Sequence, residues 1–189
     1  MDESAAFIIG WVMRIELDKL EGKSSAFAHA YQPGEIVLDE DHARLTEAPQ
    51  INGRINRNGQ EVRLNGTLTA RAEVDCDRCL KSVSIPIETS FDVTYVPAEA
   101  YYGDATAELK EEDLSLSVFD GLAIDIDDLV REQVLLAMPP RLLCGDECKG
   151  LCPVCGVDKN ANDCACEASE IDPRWAGLAA LRQGQKDGK

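Results

Sequence analysis

An alternation of apolar and polar side chains is the clearest pattern in the chain, and it is typical of half-buried β-strands. A short stretch of it begins at Arg14 and ends at Leu17. Two longer runs follow, one ending at Cys76 and the other beginning after Cys79. Their apolar positions are Val62, Leu64, Leu68, Ala70, Ala72, Val74, Val83, Ile85, Ile87, Phe91, Val93 and Tyr95. The pattern predicts two long antiparallel strands joined by a turn at Cys76-Asp77-Arg78-Cys79.

Turn-forming residues divide the rest of the β-rich region. Asn58-Gly59 lies between alternating runs and predicts a hairpin, because both turn positions favour a positive φ. Pro86 has no amide hydrogen, so its strand is predicted to lie at a sheet edge or to bulge there. We expect Ser24 to Tyr31 to form a short helix that ends at Pro33-Gly34, and 97–117 to form a loop.

A central helix is predicted after a short strand that contains Leu122 and Ile124. Asp125 and Asp127 stand where a helix N-cap is expected, and Met138-Pro139-Pro140 ends the helix. Its positions at helical spacing are Ile126, Leu129, Val130, Gln133, Val134 and Leu136. These elements predict an α+β fold with an antiparallel β-sheet core, a central helix and a small cysteine-rich C-terminal appendage.

We divide the chain into an N-terminal extension (1–12), a β-rich α+β domain (13–140) and a cysteine-rich segment (141–189). The last segment should end in a helix that begins at Pro173 and carries Trp175, Leu178 and Leu181. The apolar stretch near the start lacks the basic flank and cleavage site of a secretory signal. No apolar run reaches the ~18 residues that a membrane span needs. We therefore expect a cytoplasmic protein that does not bind membranes.

The chain is strongly acidic, with 19 Lys and Arg against 35 Asp and Glu and a formal net charge of −16. Phosphate binding needs a cationic surface, so a non-specific nucleic-acid coat is excluded. The charge is unevenly distributed. Segment 92–130 has eleven acidic residues and one lysine, whereas 43–82 has seven basic and five acidic residues. The acidic segment fits either a solvated surface or a docking face for a basic partner.

Eight cysteines carry the candidate chemistry, beside only two histidines. In a reducing compartment they indicate metal or redox chemistry in preference to disulfides. Cys152-Pro153-Val154-Cys155-Gly156 has the composition of a zinc knuckle, a tight turn on which two thiolates chelate one ion. The preferred pairing forms two structural zinc sites, one local and one that joins the C-terminal segment to the hairpin turn. The local site is Cys152, Cys155, Cys164 and Cys166, and the long-range site is Cys76, Cys79, Cys144 and Cys148.

Two other uses of the cysteines stay open. Four cysteines can hold an iron–sulfur cluster. Cys76 and Cys79 can act as a redox pair, although such a pair usually lies at the start of a helix after a strand. The sequence contains no glycine-rich phosphate loop, no G-x-S-x-G, no H-E-x-x-H and no convincing acid–base pair. We therefore expect a protein that is not an enzyme and has no small-molecule substrate.

Several short strings carry a likeness to a known family. They are Met13-Arg14-Ile15-Glu16-Leu17, Gly66-Thr67-Leu68, Cys76-Asp77-Arg78-Cys79-Leu80, Asp125-Ile126, Cys148-Lys149-Gly150-Leu151-Cys152-Pro153-Val154-Cys155-Gly156-Val157-Asp158 and Asp172-Pro173-Arg174. In these strings the chain resembles the bacterial and plastid DUF177 or YceD family, the large ribosomal RNA subunit accumulation proteins. The resemblance implies a role in the accumulation or processing of large-subunit ribosomal RNA.

Two kinds of partner fit this implied role. The acidic segment 92–130 would bind a basic ribosomal protein, which is the interpretation we prefer. Alternatively, the basic strip 43–82 would bind ribosomal RNA. The candidate partner-binding residues of the strip are Arg57, Arg63, Arg71 and Arg78. The competing functions are a thiol-redox or metal-handling protein that uses the C-x-x-C pairs, and a nucleic-acid-binding zinc module.

Overall fold

The alternating runs form a five-stranded sheet in the computed structural model, which describes residues 13–20, 22–101, 116–166 and 174. The strand order is β2-β3-β4-β5-β6. Neighbouring strands are antiparallel except β5 and β6, which are parallel. The sheet is therefore mixed, whereas the sequence predicts an antiparallel sheet. The strands are β2 (Ser24–Ala30), β3 (Ala43–Asn58), β4 (Glu61–Asp75), β5 (Ser82–Pro97) and β6 (Leu116–Phe119).

Smaller elements complete the described chain. β1 (Arg14–Glu16) pairs antiparallel with β7 (Ala123–Asp125) as a separate two-stranded sheet. A 3₁₀ turn (Leu17–Lys19) follows β1. The helices are α1 (Ala98–Tyr101) and α2 (Ile126–Ala137). The mixed sheet and the helices are consistent with the predicted α+β class.

The described contacts divide the chain into two units. One, the β-sheet unit, is Met1–Asp75 with Lys81–Leu142, and the other, the cysteine unit, is Cys76–Leu80 with Leu143–Lys189. The predicted extension 1–12 lies outside the described residues, and so does the helix predicted from Pro173, apart from Arg174. Most of the predicted 97–117 loop also lies outside the described residues. The residues described at its two ends are not loop, because they belong to β5, α1 and β6.

The helix predicted over Ser24 to Tyr31 is wrong, because this segment forms β2. Its pairing with β3 runs without interruption from Ser24, opposite Asn56, to Ala30, opposite Gln50. Serine and alanine have little strand preference of their own, so the pairing and the buried Phe27 determine the structure here.

The Asn58-Gly59 hairpin is confirmed, with its turn one residue later than predicted. Asn58 is still paired, with Glu61, and Gly59 takes the positive φ of 64° at the first turn position. Pro86 is paired with Arg71 in a register that is continuous along β4 and β5. β6 pairs with β5 only at Thr94–Pro97, so within the described chain Pro86 lies at an edge without a bulge.

Two glycines let the middle of the sheet pack closely under aromatic rings. Phe27, Gly53, Gly66 and Phe91 are paired in a row across β2, β3, β4 and β5. A Cβ on Gly53 would lie 3.0 Å from the Phe27 ring, and a Cβ on Gly66 would lie 2.8 Å from the Phe91 ring. Each buried phenylalanine therefore occupies the space that a side chain on the glycine would take.

The predicted central helix is confirmed as α2, with Asp125 as its N-cap. The Asp125 carboxylate accepts hydrogen bonds from the backbone amides of Asp127 (3.1 Å) and Asp128 (3.2 Å). The buried Asp127 carboxylate accepts from the Tyr31 hydroxyl (2.8 Å) and the Met13 amide (3.1 Å). Burial and the neighbouring Asp127 raise the pKa of Tyr31. This carboxylate therefore joins the start of α2 to the residue that follows β2 and the residue that precedes β1, which is a structural use.

Candidate metal centres

Two turns of the same shape present the C-x-x-C pairs of the cysteine unit. In each turn the residue after the second cysteine donates its amide hydrogen to the carbonyl of the first cysteine, at 2.9 Å. These donors are Leu80, to Cys76, and Gly156, to Cys152. Both residues have a positive φ, 59° and 74°. Each turn leaves its two thiols on the same side, which is how a knuckle chelates one ion.

The eight cysteines form two clusters in which all four sulfur atoms lie within 4.8 Å of one another. The first cluster is Cys76, Cys79, Cys144 and Cys148, and the second cluster is Cys152, Cys155, Cys164 and Cys166. This grouping is the one preferred from the cysteine spacing. Each cluster can hold a metal ion. That the thiols are metal ligands stays a prediction.

Two sulfur–sulfur distances in the first cluster match the edges of a tetrahedron around a single ion. The Sγ atoms of Cys76 and Cys148 are 3.8 Å apart, and those of Cys79 and Cys144 are 3.6 Å apart. Four sulfurs at the usual zinc–sulfur bond length are separated by about 3.8 Å. In a disulfide the two sulfur atoms would be roughly 2.05 Å apart, so these cysteines are free thiols.

Backbone amides concentrate negative charge on one sulfur in each cluster. Desolvation raises the pKa of Cys76, but the amides of Arg78, Cys79 and Cys144 donate to its sulfur and lower the pKa to about 6. The amides of Cys155 and Val154 lower the pKa of Cys152 to about 6.

One other thiol in each cluster has a raised pKa and therefore stays protonated. Hydrogen bonding to Cys79 raises the pKa of Cys144 to about 12, and hydrogen bonding to Cys155 raises that of Cys166 to about 12. A bound cation would replace the protons that Cys144 and Cys166 keep, because thiols bind metal as thiolates.

The first cluster is braced by residues that were not predicted as part of a site. Asn160 donates from Nδ2 to the Cys148 sulfur (3.5 Å) and accepts from the Lys149 amide (2.8 Å). Gly150 has a φ of 73°, and a Cβ there would lie 3.0 Å from the Arg78 carbonyl oxygen. A glycine at position 150 is a sequence signal for a positive φ. Nothing in the sequence marks Asn160 as a partner of a cysteine 12 positions away.

Replacing Asn160 with alanine is expected to weaken metal binding at the first cluster alone. Groups that hydrogen-bond to ligands are typically worth about 10- to 100-fold in metal affinity. Competition with a chromogenic chelator measures the two binding constants. Asn162→Ala is the matched control, since Asn162 is held through its backbone amide, which donates to the Asp158 carbonyl at 2.9 Å. An equal change at both clusters, or none at either, would contradict this role.

The four candidate partner-binding arginines are each engaged within the chain. Arg63 donates to both oxygens of Asp92 (2.6 and 2.5 Å) and thereby lowers the pKa of that carboxyl group. Arg71 pairs with Glu47 at 3.0 Å. The backbone carbonyl of Leu17 accepts from Arg57 at 3.1 Å, and that of Cys148 accepts from Arg78 at 2.7 Å. Their role toward a partner stays a prediction.

Fold and site together define a class, a small α+β protein whose cysteine unit carries two four-thiol clusters able to hold metal. The chain belongs to the family described as large ribosomal RNA subunit accumulation protein YceD, whose model matches residues 64–182. The likeness seen in the sequence strings is thus confirmed. This description names the accumulation of an RNA subunit and no chemical reaction.

The chain is also similar to individual proteins of bacteria and of a plant. An uncharacterised protein of Mycobacterium tuberculosis is 33% identical over 134 residues, which cover 71% of this chain and 62% of that protein. YlbN of Bacillus subtilis is 25% identical over 88% of this chain and 92% of its own length. The chloroplastic large ribosomal RNA subunit accumulation protein YCED homolog 1 of Arabidopsis thaliana is 28% identical over 74% of this chain and 50% of its own length.

No solved structure matches the chain. None of the described helices has the length and hydropathy to cross a membrane.

Proposed function

We propose that this chain is a non-enzymatic factor in the accumulation of large-subunit ribosomal RNA, that it acts in the cytoplasm, and that it carries two structural zinc ions. Membership of the YceD family is the single observation that carries the ribosomal part of the proposal. The two four-thiol clusters support the zinc part.

The four cysteines of each cluster fit a single zinc ion better than they fit an iron–sulfur cofactor. An iron–sulfur cluster places several iron and sulfide atoms between its cysteines, which needs wider spacing than the 3.6 and 3.8 Å separations of the first cluster. Tetrahedral four-sulfur coordination of one ion is the usual form of structural zinc. A site with four protein ligands has no open position for substrate, which supports a structural role.

The ions would replace a hydrophobic core in the cysteine unit. The buried hydrophobic cluster is built from residues of the β-sheet unit. In the described part of the cysteine unit, the buried apolar side chains are cysteines: Cys76, Cys79, Cys148 and Cys152. A segment with so little to bury depends on metal for its fold.

The partner that we propose is a basic ribosomal protein. Intramolecular pairs with Asp92 and Glu47 neutralise Arg63 and Arg71, which weakens the basic strip as an RNA-binding surface. The net charge of −16 favours attraction to a basic protein.

Sedimentation of cell extracts tests this function. We expect the chain to migrate with large-subunit particles or their precursors, and to be released by moderate salt because charge holds the complex. Its presence only in the unbound fraction at low salt would contradict the proposal. A chain that binds these particles only through RNA would lose them after nuclease treatment, which would overturn the choice of partner.

A further inference from the structure

Leu80 has a backbone conformation that suits glycine. Its φ of 59° makes it the one non-glycine residue in the left-handed region among those the structure describes. A bulky L-residue is unfavourable there, because its Cβ crowds the following carbonyl. The equivalent residue of the other knuckle, with the same 2.9 Å amide hydrogen bond, is Gly156. A glycine at position 80 would therefore complete the turn with less strain.

Packing does not compensate for this strain. The Leu80 side chain is 62% exposed, although it is a large hydrophobic group. A residue that is both strained and exposed contributes little to the fold, and such outliers concentrate at functional positions. The knuckle thus holds an apolar side chain out toward solvent on a turn anchored by two cysteines of the first cluster.

We infer that Leu80 is the apolar anchor through which the cysteine unit binds a basic ribosomal protein, an inference that rests on the proposed function. An aliphatic side chain offers RNA no aromatic face for stacking and no polar group for phosphates or base edges. It suits a small apolar pocket on a protein, the usual setting of an interface hot spot.

The negative charge of the cysteine unit favours a partner whose apolar pocket is surrounded by basic residues. The described part of the cysteine unit (76–80, 143–166 and 174) contains five acidic residues and four basic ones. The acidic residues are Asp77, Asp146, Glu147, Asp158 and Asp163. Four thiolates around one divalent ion would add a further net negative charge at each cluster. Complementary charge steers such a surface toward a basic partner.

Leu80→Gly tests the anchor because it removes the apolar side chain and adds no backbone strain, since glycine readily adopts this φ. The probe is the mixture of proteins extracted from purified large ribosomal subunits and freed of RNA, and the full zinc-loaded chain is the binder. We expect Leu80→Gly to weaken binding at least tenfold. We also expect it to retain both ions and a melting temperature no lower than that of the unaltered chain.

Leu136→Ala is the matched control, because Leu136 is another leucine, 70% exposed, on α2. We expect it to bind like the unaltered chain, and an equal loss in this variant would overturn the assignment of the anchor. Unchanged binding by Leu80→Gly, or a loss of zinc in that variant, would also overturn the inference. If the unaltered chain binds none of these proteins, the proposed partner itself is wrong.

Discussion

Replacing both Cys76 and Cys79 with serine is expected to leave each chain with one bound zinc ion instead of two and to unfold the cysteine unit. Structural zinc supplies about 10 kcal/mol or more of folding free energy in small peptides. The described part of this unit buries cysteines where other domains bury aliphatic side chains, so little would replace that contribution. Metal analysis and limited proteolysis measure the two effects.

Two comparisons make this result specific. Val154→Ser changes an exposed residue between Cys152 and Cys155 without removing a thiol, and it should keep both ions. Cys152→Ser with Cys155→Ser should remove the other ion. A Cys76 and Cys79 double variant that stays folded and protease-resistant but loses thiol exchange would instead support the redox alternative.

Replacing Gly66 with alanine is expected to destabilise the β-sheet unit by roughly 3 kcal/mol, at the upper end for overpacked cores. A Cβ at this position would lie 2.1 Å from the Asn52 carbonyl oxygen and 2.7 Å from the Gly53 Cα. Both contacts are with the backbone of β3, which cannot turn aside as a side chain can. The strands would have to separate beneath Phe91.

Denaturant unfolding followed by circular dichroism measures this loss. Gly145→Ala is the matched control, because a Cβ on Gly145 meets no atom within 4 Å and its φ is not in the left-handed region. It should change stability by less than about 0.5 kcal/mol. If the Gly66→Ala protein is as stable as the Gly145→Ala protein, the close contact between β3 and β4 at Gly66 is not needed for stability.

Local patterns are enough to predict the elements whose own residues determine them. The alternation through β4 and β5, the Asp125 N-cap and the proline stop after α2 all depend on nearby residues. β2 could not be predicted this way, because its serines and alanines become a strand only through pairing with β3. The parallel pairing of β6 with β5 is likewise a long-range contact.

The candidate site likewise has features that the sequence predicts and features that depend on long-range contacts. Cysteine spacing by itself favours the two clusters, since thiols are rare and their chemistry restricts the pairing. The contact of Asn160 with Cys148 depends on how the chain returns to the first cluster, and asparagine is too common for a sequence signal. The strain at Leu80 has no sequence signal either, because leucine is not a residue that predicts a positive φ.

The ratio of large-subunit to small-subunit ribosomal RNA in cells is the quantity that the proposed function of this chain should change. It is measured in cells that lack this chain and in the same cells supplied with it again. We expect a lower ratio without the chain and recovery when the unaltered chain is restored, but no recovery when the Cys76 and Cys79 double variant is supplied. A ratio that is the same with and without the chain would contradict the proposed function.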